Sequence, residues 1–169
     1  MVNRYEEQQY FRQRWLIALF VFLMLANAYA LVTQLFLGHP VGSNPAPDWV
    51  VLLSFIFFLL LLVLLFTTHL DLKIDKEGIS FRYFPFIFRW RTYRWEEIQE
   101  LELKKIRPLM DMGGWGLRTV DGGGIGYTVS GNKVIRILLR NGKIRYIGIS
   151  DDEKVREALR QFSPLKKGD

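Results

Sequence analysis

Residues 49–75, WVVLLSFIFFLLLLVLLFTTHLDLKID, change character at one point, and that change decides the fold. Residues 49–66 are 18 residues without a charge. At 1.5 Å per residue they make about 27 Å of helix, which is enough to cross a bilayer. No polar face interrupts the run, as one would in a buried helix of a soluble protein. Residues 70–75 then alternate apolar and polar side chains, which predicts a half-buried β-strand directly after a membrane span.

A second apolar run precedes this one. Residues 15–37 carry no charge, and they make about 34 Å of helix. The connection, GHPVGSNPAPD at 38–48, contains three prolines and no Lys or Arg, whereas both outer flanks are basic. The positive-inside rule then places both termini in the cytoplasm. We expect a multi-pass protein with segments 1–14 (cytoplasmic), 15–37 (first span), 38–48 (external loop), 49–69 (second span), 70–163 (cytoplasmic domain) and 164–169 (tail).

Two features of the first span have alternative interpretations. Ala26, Ala28 and Ala30 form A-x-A patterns of the kind at which signal peptides are cleaved, but the apolar run continues past them to residue 37. Asn27 and the Thr33–Gln34 pair would line a transport path or contact a partner in a functional interpretation. The structural alternative, which the pattern favours, is hydrogen bonding between the two helices.

Charge and composition limit the function of residues 70–169. This part contains 20 Lys and Arg against 14 Asp and Glu, a surplus of six positive charges. The chain has no cysteine, which excludes disulfides and thiolate chemistry, and only two histidines, which disfavours a His-rich metal site. No spacing of carboxylates and histidines suggests a catalytic site. We therefore predict no enzymatic activity, no catalytic residues, no cofactor and no metal.

Residues 70–163 are predicted to form about seven antiparallel strands followed by one helix. Asn141-Gly142 is the strongest hairpin signal, because both residue types accept a positive φ. Ser150 with Glu153 reads as a capping box, so Ser150 is the expected N-cap of the helix. The predicted class is α+β: a transmembrane helical hairpin, then an antiparallel barrel or sandwich capped by an amphipathic C-terminal helix.

Four short motifs carry a resemblance to a known family. They are WEEI at 95–98, GGWGLR at 113–118, YTVSGN at 127–132 and IGISDDEKVREAL at 147–159. Together with the two apolar runs they resemble bacterial pleckstrin-homology-like (PH-like) membrane proteins of unknown function. The resemblance covers nearly the whole chain. It implies a PH-like barrel and a bacterial inner-membrane location, and it supplies no enzymatic activity.

The basic and aromatic run after residue 83 is the first candidate site. An apolar hairpin tip beside arginines suits insertion among anionic headgroups. The alternative is that alternate aromatics are core and the arginines are a solvated face; nucleic-acid binding is disfavoured. The candidate membrane-contact residues are Phe84, Phe86, Ile87, Phe88, Arg89, Trp90 and Arg91.

The glycine-rich stretch GGWGLRTVDGGGIG at 113–126 is the second candidate site. It lacks the Lys-Ser/Thr pair of a P-loop, and a strand follows it, so phosphate binding is disfavoured. We expect a connection between strands built around Trp115, with Arg118 bracing the loop or binding a ligand carboxylate. Trp115 and Arg118 are the candidate partner site.

The remaining charged residues suggest no inositol-phosphate pocket, but they favour contact with the membrane surface. Lys73, Lys76 and Arg82 alternate with acids and make a poor inositol-phosphate pocket. Further basic residues, at 104, 105, 107, 136, 140, 143 and 145, favour a domain lying on the bilayer, and the acids at 96, 97, 100 and 102 form a solvated or docking patch.

Three functions follow as hypotheses. The main one is a non-catalytic binding or scaffolding module for protein partners at the inner membrane face. The second is a module that contacts or senses anionic lipid. The third is an accessory subunit of a transporter or membrane enzyme. The lipid bilayer and an unidentified protein are the predicted partners, and nucleic acid is not.

Overall fold

The computed structural model of the chain describes residues 4–11, 13–120 and 123–164. They form two compact units. Residues 12–67 make the helical unit, and the β unit combines the residues up to Phe11 with those from Thr68 onward. The predicted α+β class with two apolar helices is confirmed.

The helical unit consists of two long apolar helices. The first, α1, spans Arg14–Leu31 and continues through a π-helical turn at Val32–Phe36, and α2 spans Asp48–Thr67. Mean hydropathy is 2.3 over Arg14–Phe36 and 3.2 over Asp48–Thr67. Both helices are therefore long and apolar enough to cross a membrane.

Polar side chains join the two helices. Ser54 Oγ donates a hydrogen bond to Asn27 Oδ1 at 2.6 Å, and Gln34 Nε2 donates one to Asp48 Oδ1 at 2.8 Å. The bonded residues occur in opposite order along the two helices, so the helices pack antiparallel. The hydrogen-bonding role predicted for Asn27 and Gln34 is confirmed, whereas Thr33 bonds back to a carbonyl of its own helix.

We expect the substitution Asn27→Leu to weaken the pairing of α1 with α2 by only about 0.6 kcal/mol, a typical value for such bonds in a bilayer. The loss is small because Ser54 keeps its bond to the carbonyl of Val51. Disulfide formation between single cysteines placed on the two helices measures the pairing in vesicles. Phe22→Leu, at an exposed site, is the control. A collapse of crosslinking in the Asn27 variant alone would assign this pair a larger role.

The β unit has nine strands among its described residues, arranged in two sheets. The first sheet is antiparallel throughout and contains, in spatial order, β1 (Tyr5–Tyr10), β2 (His69–Ile74), β3 (Gly78–Phe84) and β4 (Ile87–Arg94). The second sheet has the order β5-β8-β9-β7-β6, with β5 (Ile98–Lys105), β6 (Gly116–Val120), β7 (Gly124–Thr128), β8 (Lys133–Leu139) and β9 (Ile144–Ile149). A short helix, α3 (Pro108–Asp111), lies between β5 and β6.

The strand plan differs from the predicted one in three respects. The described residues of the predicted domain contain eight strands rather than about seven, with β1 as a ninth outside it, and β7 and β9 run parallel, with Ile125 opposite Arg145. The two sheets are not joined into a closed barrel. The additional strand β1 pairs with β2 over its whole length, from Tyr5 opposite Ile74 to Tyr10 opposite His69. Sequence analysis assigned no secondary structure to that segment.

One hydrophobic core lies among the two sheets and the last helix, α4 (Asp152–Phe162). Val155 and Ala158 of α4 are buried in the same cluster as Phe81 of the first sheet and Ile137 of the second. The amphipathic helix predicted at the end of the chain is thus part of the core of the β unit.

The start of α4 differs from the prediction by one residue. Asp151, not Ser150, is the N-cap, and its carboxylate accepts hydrogen bonds from the backbone N–H groups of Glu153 and Lys154. These bonds, the one from Lys154 first, hold the pKa of Asp151 below its usual range. Asp and Ser are both good N-caps, and the sequence pattern does not choose between adjacent ones.

The β8–β9 turn also differs in detail. Gly142 has a φ of +78°, but Asn141 is not among the residues with positive φ. Leu139 and Lys143 close the turn, since Leu139 N–H donates to the Lys143 carbonyl at 2.9 Å. The hairpin forms where expected, with a longer turn than the two-residue one that the Asn-Gly pair suggests.

Candidate functional site

The aromatic residues of the candidate membrane-contact run lie in two environments. Phe86, Phe88 and Trp90 expose 55%, 66% and 45% of their surface. Phe84 is half-buried, and Ile87 packs against the core of the β unit. Three of the five apolar side chains are thus available to a ligand or a bilayer, and Ile87 has a structural role.

Four aromatic rings form a continuous line across the outer face of the first sheet. Tyr10 lies 5.7 Å from His69, His69 lies 5.1 Å from Phe84, and Phe84 lies 5.3 Å from Phe88, measured between ring centroids. The strand register explains the line, because Tyr10, His69 and Phe84 are directly opposite one another on β1, β2 and β3. We refer to these four residues as the aromatic row.

Charged side chains next to the aromatic row are paired with each other. Arg82 Nε donates a hydrogen bond to Asp71 Oδ2 at 2.8 Å, and Arg82 Nη2 forms an ion pair with the same oxygen at 2.6 Å. The guanidinium lies 5.3 Å from the centroid of the Trp90 ring. Lys73 forms an ion pair with Asp75 at 2.7 Å. Two of the three cations of the weak inositol-phosphate candidate are therefore already compensated by carboxylates.

The two candidate residues of the glycine-rich stretch lie on the connection that leads into β6. Trp115 Nε1 donates a hydrogen bond to the carbonyl of Gly131 at 2.9 Å. Arg118 folds back over the loop, because its guanidinium would be 3.8 Å from a Cβ placed on Gly114. Burial raises the pKa of Tyr83 to about 12, and the nearby charge of Arg118 acts in the opposite direction. This geometry fits the bracing interpretation of Arg118; residues 121 and 122 lie outside the described part of the stretch.

A second concentration of charge lies in an open groove between β4 and the β8–β9 turn. Its volume is about 640 Å³. The groove, which we refer to as the basic groove, has Tyr93 on its wall, and Arg145 Nε donates to the Tyr93 hydroxyl at 3.2 Å. Four basic and two acidic side chains line it, a surplus of two positive charges: Arg91, Arg140, Lys143 and Arg145 against Glu96 and Glu97.

Sequence reasoning missed two of these groupings. Tyr10 is part of the aromatic row only because β1 pairs with β2. Arg91 and Arg145 line the same groove only because the two sheets pack around one core. No hydrophobic alternation in YEEQQY points to β1, because Glu7 and Gln9 on its inward face are polar. In the described ranges, no group of three or more His, Asp and Glu side chains is arranged to hold a metal ion.

The geometry of these surfaces does not depend on a family assignment. The chain matches no protein-family model, and no curated protein matches it. The resemblance to bacterial PH-like membrane proteins therefore stays a prediction.

Proposed function

We propose that the chain is a membrane protein with two spans, whose β unit is a non-catalytic binding module at the inner face of a bacterial membrane. The bilayer surface is the first ligand of this module. The observation that carries the proposal is the aromatic row together with the exposed rings of Phe86 and Trp90. Trp and Tyr are enriched at membrane–water boundaries, which suits Trp90 and Tyr10, and exposed Phe side chains suit the apolar part of such an interface.

The helical unit supports the membrane assignment. None of the α1 residues is buried, and large apolar side chains such as Phe22, Phe36 and Phe57 expose more than half of their surface. Exposed apolar surface of this extent marks a binding or membrane surface.

The strand pairing supports the proposed topology. β1 precedes α1 in the chain, β2 follows α2, and the two strands share a continuous register. Both flanks of the helix pair must then lie on one side of the membrane, which requires an even number of crossings. The loop at 38–48 lacks Lys and Arg, so the positive-inside rule places the loop outside and both flanks of the helix pair in the cytoplasm.

Chain connectivity supports a bilayer contact at one end of the first sheet. β1 ends at Tyr10, shortly before α1 begins at Arg14, and β2 begins at His69, two residues after α2 ends. The β3–β4 turn with Phe86 is at the same end of the sheet, because His69 pairs with Phe84. The aromatic residues thus lie at the end of the first sheet from which the chain continues into α1 and α2.

A depth measurement tests this contact. The chain has no cysteine, so Phe86→Cys and Lys76→Cys each give a single labelling site for a nitroxide in the full-length protein. Residues 76 and 86 lie in the two turns at opposite ends of β3. In phosphatidylglycerol vesicles we expect the label at 86 to be relaxed by oxygen more than by a nickel chelate. The label at 76 should show the reverse. Equal chelate accessibility at both sites would contradict the bilayer contact.

A protein partner is the second candidate ligand, and one observation favours it. Leu109, Met110 and Leu117 expose 63%, 77% and 46% of their surface within a short segment that contains Trp115. β6 in this segment is an edge strand, and an edge strand can accept a partner strand. A photo-crosslinker at 117 in intact membranes should yield one discrete adduct, with a crosslinker at Lys76 as control. A diffuse background at both sites would count against a specific partner.

The PH-like plan is the finer fold proposal. It is supported by two sheets that share one core with a C-terminal helix, whose Val155 and Ala158 are buried. The parallel pairing of β7 with β9 is a departure from an all-antiparallel barrel.

A further inference from the structure

We infer that the basic groove binds a phosphate-bearing ligand with two or more negative charges, and that the ligand comes from solution. The inference rests on the proposed function only in treating the β unit as a binding module. It concerns a different surface from the aromatic row.

The basic residues of the groove lack carboxylate partners. Within the described ranges, no ion pair joins a carboxylate to Arg91, Arg140, Lys143 or Arg145, although ion pairs occur elsewhere in the β unit, for example at Arg82 and Lys133. One of the two acids in the groove is engaged elsewhere, since Glu97 accepts a hydrogen bond from the Arg94 N–H at 2.9 Å. Four basic side chains against two acidic ones leave the groove with a surplus of two positive charges, and a bound anion compensates that surplus.

One of the cations is held in place by neighbouring groups. Arg145 is half-buried, and it donates to the Tyr93 hydroxyl and to the carbonyl of Ile144. Arg91 lines the same groove and is exposed. Pre-positioned guanidinium groups lose less entropy on binding than free ones, which favours a specific site over diffuse attraction.

The chemistry of the groove favours phosphate. A guanidinium binds phosphate oxygens through two parallel hydrogen bonds, and Arg91 with Arg145 supplies two such groups. A volume of about 640 Å³ exceeds that of a single inorganic phosphate and lies in the usual range for sites of organic ligands. The side chains of Tyr93 and Leu139 add apolar surface to the lining. The groove thus suits a small organic compound with two phosphate charges.

The position of the groove favours a soluble ligand over a lipid headgroup. Tyr93 is opposite Ile79, close to the β2–β3 turn, whereas the aromatic row lies at the other end of the same sheet. A ligand in the groove is therefore remote from the end of the first sheet that we propose to contact the bilayer.

Thermal unfolding of the full-length protein in detergent, titrated with pyrophosphate, tests the inference. We expect a saturable increase in the unfolding temperature, and an apparent affinity at least about tenfold weaker in the double variant Arg91→Gln, Arg145→Gln. The unfolding temperature of each variant without ligand is the baseline for its titration, because the variant also loses the bonds from Arg145 to Tyr93 and Ile144. Lys104→Gln with Lys105→Gln makes the same charge change outside the groove, and should leave the titration unchanged.

Further titrations distinguish a soluble phosphate ligand from a lipid headgroup and from an acidic peptide. A response that saturates with short-chain phosphatidylglycerol but not with pyrophosphate, and that the Arg91, Arg145 variant loses, would point to a lipid headgroup. The groove would then still bind phosphate, but the inference that its ligand comes from solution would be overturned. Binding of a glutamate-rich peptide alone would overturn phosphate in favour of an acidic protein segment. The absence of any saturable response, or equal loss in both double variants, would overturn the site altogether. The nitroxide depth at residue 86 is read independently, so either proposal can fail without the other.

Discussion

Replacing Gly78 with alanine is expected to lower the free energy of unfolding of the β unit by about 2–5 kcal/mol, the sum of backbone strain and overpacking. Gly78 has a φ of +153°, which side chains rarely adopt. A methyl group there would overlap the Tyr93 carbonyl oxygen and would lie 2.9 Å from Arg94 Cα. Both atoms belong to the backbone of β4, so no side-chain rotation relieves the overlap. Urea unfolding in detergent micelles, followed by near-ultraviolet circular dichroism, measures the loss.

Gly142→Ala is the matched control for this prediction. Gly142 also has a positive φ, of +78°, but a Cβ there meets no atom within 4 Å. Only the backbone penalty of about 1–2 kcal/mol remains. If the two variants lost the same stability, contact with β4 would not be the reason that residue 78 is a glycine.

Deleting residues 4–11 is expected to lower the free energy of unfolding by about 5 kcal/mol or more, which is comparable with the whole stability of a small domain. The deletion removes β1, and with it a buried side chain, Gln9, whose amide donates to the Gly148 carbonyl at 2.8 Å. It also removes Glu7, which accepts a hydrogen bond from the Ser150 N–H at 3.1 Å. β1 therefore ties the first sheet to the second sheet and to the start of α4. Limited proteolysis in vesicles should cleave between residues 70 and 164 in the deletion variant and spare the full chain.

The control for the deletion keeps the strand and changes its outer face. Glu6 and Gln8 are exposed, and a double change to threonine retains strand propensity. This variant should resist protease like the wild type. Adding a peptide of residues 1–11 to the deletion variant should restore part of the protection. Full resistance of the deletion variant without the peptide would show that the β unit does not need β1.

The parts of the fold that were predictable are those with a strong local pattern. Residues 49–66 lack any polar face, and α2 indeed spans Asp48–Thr67. The alternation predicted at 70–75 corresponds to β2, which spans His69–Ile74 and so ends one residue earlier. In these segments one periodicity decides the structure, and tertiary contacts reinforce it. The N-cap of α4 was missed by one residue because Ser150 and Asp151 are both suitable.

The parts that were not predictable depend on distant contacts. The inward face of β1 carries Glu7 and Gln9, so hydrophobic alternation does not mark it as a strand. The Gln9 amide donates to Gly148, and Glu7 accepts from the Ser150 N–H; those partners lie 139 and 143 residues further along the chain. The parallel pairing of β7 with β9 has no local signature either, since it joins two strands that β8 separates along the chain.

The candidate sites also include one that the sequence predicts and one that depends on distant contacts. The exposure of Phe86 and Phe88 follows from the hairpin tip that the sequence marks. The basic groove does not, because Arg91 and Arg145 are brought together only by the packing of β4 near the β8–β9 turn. A sequence places charges on strands, but the neighbours of a charge across a core are a tertiary property.

The position of β1 has a consequence for biosynthesis. A ribosome makes the chain from its amino end, so β1 emerges before α1 and α2, and its partner β2 emerges after both. With the two-span topology that we propose, β1 stays unpaired until both helices have entered the membrane and β2 has followed. On that proposal, β1 and β2 can pair only when both flanks of the helix pair lie on the same side of the membrane, so completion of the first sheet reports correct insertion.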